Sequence, residues 1–197
     1  MTTSTREDLL QSALKLFAEK GFYGASIAQI ARELGLTKQA LLHHFGTKEK
    51  LYGEVLALIN DSMTERLATV PSSAASPEER FEQVFMALYG DGDDASDVAR
   101  LVMRELMDNV GRADQARSWY LKPFLEMLIK LARDLPGNAD RSDGELLAVT
   151  YQLLGAINYY ALSQTTLEKI FGAQTFGHSQ DAFPGALRAL IRAAATP

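Results

Sequence analysis

SIAQIARELGLTKQALLHHFG, residues 26–46, decides the architecture. Ser26 followed by Gln29 has the form of a capping box, in which a hydroxyl and an amide side chain satisfy each other's free backbone N–H groups at a helix start. Ile27, Ile30, Ala31 and Leu34 then recur at helical spacing, and Gly35 supplies a stop. Thr37 offers its hydroxyl to the free amides of Lys38, Gln39 and Ala40, and a second short helix runs to about His44 before Gly46. Two short helices joined by Glu33-Leu34-Gly35-Leu36-Thr37 have the spacing of a helix-turn-helix: a glycine near the end of the first, an apolar residue in the turn and a capping residue opening the second.

Outward from this stretch the chain reads as helices throughout. On the amino-terminal side, Thr5 and Asp8 form a capping pattern ahead of Leu9, Leu10, Ala13, Leu14, Leu16 and Phe17, with a stop at Gly21. That helix, over residues 5–20, can pack across the two short ones. On the other side Thr47 opens a longer helix that ends near Pro71, and PSSAASP (71–77) reads as a linker. Ser76, Pro77 and Glu79 restart a helix with Phe81, Val84, Phe85 and Leu88 at core spacing. The loop GDGDDAS (90–96) precedes a helix carrying Val98, Leu101, Val102, Glu105 and Leu106, which Gly111 interrupts. A helix over 114–134 contains Pro123, predicted to bend it because proline lacks the amide and crowds the preceding turn. Ser142 and Glu145 cap a helix over 145–162, and a last short helix is expected from about Phe183 to Ala195. The expected fold is all-α, about nine helices, with a helix-turn-helix domain over 1–46 and a helical body over 47–197.

Composition limits the chemistry. There is no cysteine, and His43, His44 and His178 are the complete set of histidines, too few for a conventional closed zinc site without carboxylate help. No feature calls for a metal or a cofactor. No segment approaches about eighteen consecutive apolar residues and the amino terminus has no signal-peptide run, so a cytoplasmic protein without a membrane partner is expected. The net charge of -5 is unevenly spread: residues 1–51 carry seven Lys/Arg against five Asp/Glu, and residues 52–197 carry 13 against 20. The front quarter is the part whose balance suits a polyanion.

A helix-turn-helix places its second helix in the major groove. Lys38 and Gln39, in the first turn of that helix, can reach base edges, Lys toward guanine O6/N7 and Gln toward adenine N6/N7. Ser26, Thr37, His43 and Lys48 are the candidates for phosphate contacts, which fix register rather than sequence. Enzymatic alternatives are thin. Asp91, Asp93 and Asp94 lack the ligand spacing of a calcium loop, and Glu105 with Asp108 has no histidine or cysteine partner. The remaining alternative is a helical protein-interaction module that does not read a DNA sequence.

Residues 9–55, LLQSALKLFAEKGFYGASIAQIARELGLTKQALLHHFGTKEKLYGEV, closely resemble the DNA-binding domain of TetR/AcrR-type regulators. The resemblance lies in Gly21-Phe22, in Ser26-Ile27-x-x-Ile30-Ala31, in Gly35-Leu36-Thr37 and in His44-Phe45-x-x-Lys48-x-x-Leu51. It implies a repressor that binds a pseudo-palindromic operator as a homodimer and is released by a small-molecule effector. One position departs from the pattern. Where such regulators usually carry a tyrosine that contacts phosphate, this chain has Leu42, so either that contact is missing or His43 and its neighbours carry more of the backbone grip.

For the body, the resemblance implies pairing through a carboxy-terminal four-helix bundle, here residues 145–162 and 183–195. Small residues there, Gly155, Ala156, Ala161, Ala186, Ala189 and Ala193, allow close helix approach, and Leu187→Glu is expected to disrupt the pairing; an ordinary intramolecular core is the alternative reading of the same positions. The middle helices, 77–134, are expected to enclose the effector. Phe85, Met86, Tyr89, Met103 and Met107 belong to an adaptable apolar lining, as do Trp119, Tyr120, Phe124 and Met127. The same stripe would serve an ordinary core, and the resemblance is what tips the reading toward a pocket. Arg104, Glu105 or Asn158 would fix the ligand's polar end.

Overall fold

Capping residues and glycines set the ends of the helices. The computed structural model describes residues 6–68, 70, 76–90, 95–108 and 121–195. Among these it forms eight helical elements and no strand, in agreement with the all-α expectation. They are α1 (Arg6–Gly24), α2 (Ile27–Glu33), α3 (Lys38–Phe45), α4 (Lys48–Ala68), α5 (Pro77–Tyr89), α6 (Ala95–Asp108), α7 (Lys122–Arg133) and α8 (Asp143–Ala195). Within α8, Gly172 at φ 80°, ψ 157° breaks the ladder into two helical arms, 143–171 and 173–195. No helix among the described residues is long and apolar enough to cross a membrane.

The chain divides into two compact units, Met1–Ser62 with Ser96–Leu121, and Met63–Ala95 with Lys122–Pro197. The first therefore takes in α1 to α3, most of α4 and α6. Its interior holds Leu10, Leu14, Phe17, Ile30, Leu41, Phe45, Leu51, Val55 and, from α6, Leu101. In α1 the helical path is interrupted at Gly21, whose φ of 70° favours glycine, and the Ala25 amide closes back on the Gly21 carbonyl at 3.1 Å.

In the second unit α5 and α7 pack on α8. Phe81 and Phe85 stand one turn apart on α5 and are fully buried. Phe124, Leu128 and Ala132 make the matching stripe on α7, and Leu146, Leu153, Leu187 and Ile191 face them from both arms of α8. Burying one such large side chain stabilises the fold by about 1.5–3 kcal/mol. The α7–α8 connection is tied by its own polar groups. Asn138 Nδ2 donates to the Ala132 carbonyl at 2.8 Å, and Arg133 donates to the Arg141 carbonyl at 2.8 Å and pairs with Asp143.

Two expectations about these helices are corrected. Pro123 does not bend α7; it is the second residue of a helix beginning at Lys122, where its missing N–H would have no helical partner in any case. The last helix does not start near Phe183. It is helical from 173 onward, Pro184 is tolerated inside it, and Gly172 is the true break. The expected Thr5 cap, the 91–94 loop, the Gly111 interruption and residues 114–120 lie outside the described residues.

Candidate nucleic-acid interface

The helix-turn-helix is assembled by three local devices. At the start of α2 the Ser26 hydroxyl accepts from the Gln29 amide at 3.1 Å, and the Gln29 side chain accepts from the Ser26 amide at 3.4 Å, completing the capping box. At its end Gly35 takes φ 65°, the Gly35 amide donates to Arg32 O at 3.1 Å, and the Leu36 amide donates to Ala31 O at 2.8 Å. This crossed pair satisfies carbonyls that the helix end would leave open, and the left-handed φ it needs is cheap for glycine. At the start of α3 the Thr37 hydroxyl accepts from the Ala40 amide at 3.1 Å. The turn between the two short helices is thus fixed at both margins.

That arrangement decides which face α3 shows. Leu41 and Phe45 are buried and anchor the helix; Lys38, Gln39, His43 and His44 are exposed. Leu42 is half-buried at the boundary between the two faces. Lys38 and Gln39 occupy the first turn of α3, beside the Thr37 cap, with both side chains in solvent. Ser26 and Thr37, expected on phosphates, serve first as helix caps. Lys48 is half-buried, its ammonium 4.5 Å from the centre of the Phe22 ring. Phe22 in turn lies edge-on to Tyr52 at 5.0 Å and to Tyr23 at 5.2 Å.

Behind this face, α6 supplies polar contacts to α1 and α4. The Tyr52 hydroxyl donates to Glu105 Oε2 at 2.6 Å, and Glu105 is 5% exposed. A buried carboxylate requires such a partner, because leaving it unpaired costs several kcal/mol on the order of magnitude set by desolvation. Arg104 Nη2 donates to the Glu19 carbonyl at 3.1 Å, at the end of the regular part of α1. A Cβ placed on Gly21 would come within 3.2 Å of the Arg104 guanidinium. Arg104 and Glu105, expected to hold the polar end of a ligand, are therefore engaged with α1 and α4. The sequence did carry a hint: a glutamate at a core position of an apolar stripe must find a partner, although Tyr52 was not identifiable as that partner.

The residues expected around an effector are divided between the two units. Phe85 and Phe124 are core residues of the second unit, at 0% and 3% exposure. Tyr89 and Asn158 are half-buried in the same unit, and Asn158 Nδ2 donates to Leu154 O at 2.8 Å. Tyr89 stands near Phe183 and Tyr160, with centroid distances of 5.4 and 6.4 Å. Met103 and Met107 are on α6 in the first unit, Met103 half-buried and Met107 66% exposed. Trp119 and Tyr120 lie outside the described residues.

Residues 9–55 match the family described as bacterial regulatory proteins, tetR family. Among curated proteins, the HTH-type transcriptional repressor KstR2 of Mycobacterium tuberculosis (strain CDC 1551 / Oshkosh) is 35% identical over 86 residues, which cover 44% of this chain and 43% of that one. The HTH-type transcriptional repressor NicS of Pseudomonas putida is 32% identical over 85 residues, 43% of this chain and 40% of its own length. The chain thus spans less than half the length of these curated relatives. Similarity of fold extends much further. A TetR-like transcriptional regulator from Rhodococcus sp. RHA1 superposes with a TM-score of 0.65 at 18% identity, covering 97% of this chain and 96% of that structure. The ketosteroid transcriptional regulator KstR2 of Mycobacterium tuberculosis gives 0.60 at 19% identity over 94% and 96%.

Proposed function

We propose, from the similarity of residues 9–55 to the tetR family of bacterial regulatory proteins, that this chain is a repressor which reads a pseudo-palindromic operator as a homodimer and releases it on binding a small molecule. In this reading residues 1–46 form the DNA-reading domain and residues 47–197 the effector-binding and dimerisation domain. The observation that carries the proposal is the first turn of α3, where Lys38 and Gln39 stand in solvent beside the Thr37 cap while Leu41 and Phe45 lock the helix from behind. Long polar side chains held on a rigid short helix are what base-edge recognition in the major groove needs. The test is a selection from randomised duplex DNA, followed by competition against nonspecific DNA. Lys38→Ala and Gln39→Ala are expected to relax sequence preference, each contact being worth about 1–3 kcal/mol. Lys48→Ala is expected to weaken all duplexes alike and to flatten the salt dependence. Recovery of no enriched sequence would instead favour the protein-interaction module.

The dimer reading rests on α8. Leu147, Tyr151, Gly155 and Tyr159 recur one turn apart on the first arm and are all exposed, Tyr159 at 75%. Ala186, Ala189, Leu190 and Ala193 are exposed on the second arm. Two apolar surfaces of this kind support isologous pairing with a second copy. Leu187 is not part of that surface: at 2% exposure it belongs to the interior of its own protomer, and its expected interface role is corrected. Tyr159→Glu is therefore the informative change, expected to convert a sedimenting dimer into a monomer without loss of helicity.

For the effector, α6 is the element that joins ligand and DNA reading. It carries Met103, an expected lining residue, next to Arg104 and Glu105, which hold α1 and α4. A ligand that shifts α6 changes the support of the reading face, and by reciprocity operator DNA weakens that ligand's binding by the same factor. Thermal-shift screening of varied metabolites, repeated on the operator complex, tests this coupling.

A further inference from the structure

Arg6 is the first residue of α1, a position where the helix macrodipole disfavours a cation and suits the acidic side chains of Glu7 and Asp8 that follow it. What offsets that placement lies in other elements. The Arg6 guanidinium pairs with Glu54 of α4 and sits over the ring of Phe45, the last residue of α3, 5.1 Å from its centroid. One side chain thereby joins the start of α1, the end of the reading helix and α4. We infer that Arg6 is a positioning residue for sequence reading, which pins the carboxy-terminal end of α3 and does not itself hold a phosphate. The inference rests on the DNA-binding reading above.

The two ends of α3 are held differently. At its start the Gly35 turn and the Thr37 cap fix the backbone directly. At its end Gly46 takes φ 78° and its amide donates to the Leu42 carbonyl at 2.7 Å, a bond that closes the helix on itself. The hold on neighbouring elements comes from two inward anchors one turn apart, Leu41 at 0% and Phe45 at 4% exposure. Apolar burial is non-directional and leaves a ring free to slide, whereas an ion-paired cation over its face fixes where the ring lies. Lys38 and Gln39 reach base edges only while α3 keeps its roll and tilt, and the positions of the two anchors set both. Glu54 offsets the charge of Arg6, which makes this guanidinium a poor counterion for DNA. The side chains of Arg6 and Glu54 are 57% and 33% exposed, so the pair adds little to global stability, and its loss shows in discrimination before it shows in melting.

The full chain is titrated with a duplex recovered from the randomised library and with random-sequence duplex, across several salt concentrations. Arg6→Ala is expected to reduce the preference for the recovered duplex roughly three- to tenfold, the scale of a solvated ion pair together with a cation on a ring, with the salt slope unchanged. Glu54→Gln is expected to reduce the preference in the same way although it leaves Arg6 charged, and the double variant to be no worse than Arg6→Ala, because both changes break one clasp. Three results would overturn the inference. Wild-type preference in both single variants is the first. The second is a salt slope shallower by about one in Arg6→Ala with equal losses on both duplexes, joined to tighter binding by Glu54→Gln, which makes Arg6 a phosphate contact. The third is a lowered unfolding midpoint with preference intact, which makes the clasp structural only. A wild-type chain that prefers no duplex removes the DNA reading itself, and this inference with it.

Discussion

The two compact units of this chain use opposite strategies. In the first unit the helix-turn-helix itself consists of two short elements, α2 and α3, whose margins Ser26, Gly35 and Thr37 fix within a dozen residues, and the buried Tyr52–Glu105 pair fixes α4 against α6. The other unit contains the longest element, α8, running from Asp143 to Ala195 across a break at Gly172, and joins it to α5 and α7 through a large apolar interior. Short helices have too little surface to select one arrangement by burial, so polar caps and turns carry that task. The helices of the second unit are capped as well, α5 by Ser76 and α8 by Ser142, but there each added turn also buries more of the same apolar face.

The contrast can be tested by removing one buried ring from each unit. Phe17→Ala and Phe81→Ala both empty a site at 0% exposure, and each is expected to cost about 3–5 kcal/mol. Hydrogen exchange separates the units: Phe17→Ala should lower protection chiefly in α1, α2, α3 and α6, and Phe81→Ala in α5, α7 and α8. Uniform loss of protection in both variants would mean that the chain unfolds as one cooperative body. A smaller effect sharpens the polar side of the comparison. Glu105→Ala leaves the Tyr52 hydroxyl buried without its acceptor, and a destabilisation of about 1–3 kcal/mol is expected by thermal unfolding, with DNA affinity reduced as well. An unchanged melting profile would show that the pair is dispensable.

The smallest effect concerns the surface of the second unit. The hydrogen bond from Arg192 to Glu82, followed by the charges of Arg192 and Arg188, holds the Glu82 carboxyl below the ordinary carboxylate range, although partial desolvation opposes the shift. A lowered folded pKa means that the stabilisation is present above the unfolded value and is lost as pH falls through the folded one. Acid titration of stability should therefore show a shallow loss in that window, which Glu82→Gln removes. Because the pair is solvent-facing, high salt should diminish it.

How much of this was legible in the sequence follows the same division. The caps at Ser26, Thr37 and Ser76 were each readable because a hydroxyl ahead of an apolar repeat has a local physical meaning, and the Thr37 cap in turn put Lys38 and Gln39 in the first turn of the second short helix. Long-range facts were not readable. Glu105 finds Tyr52 across 53 positions of sequence, and Leu187 turns toward its own protomer rather than outward, a choice of face that helical periodicity alone leaves open. Pro123 and Pro184 show the other limit. Proline signals either a helix start or a bend, and what precedes it in space decides which; one opens α7 and the other is carried inside α8.

The support that α6 gives to α1 and α4 has a consequence for protein engineering. Cutting the chain after α4 would yield a fragment containing every residue proposed to contact DNA, yet it would lack Glu105 for the Tyr52 hydroxyl and Arg104 for the Glu19 carbonyl. The portable cassette is therefore discontinuous. A chimera that grafts this reader onto another sensor must transplant the α6 segment with it, or rebuild those two contacts on the recipient's own helix.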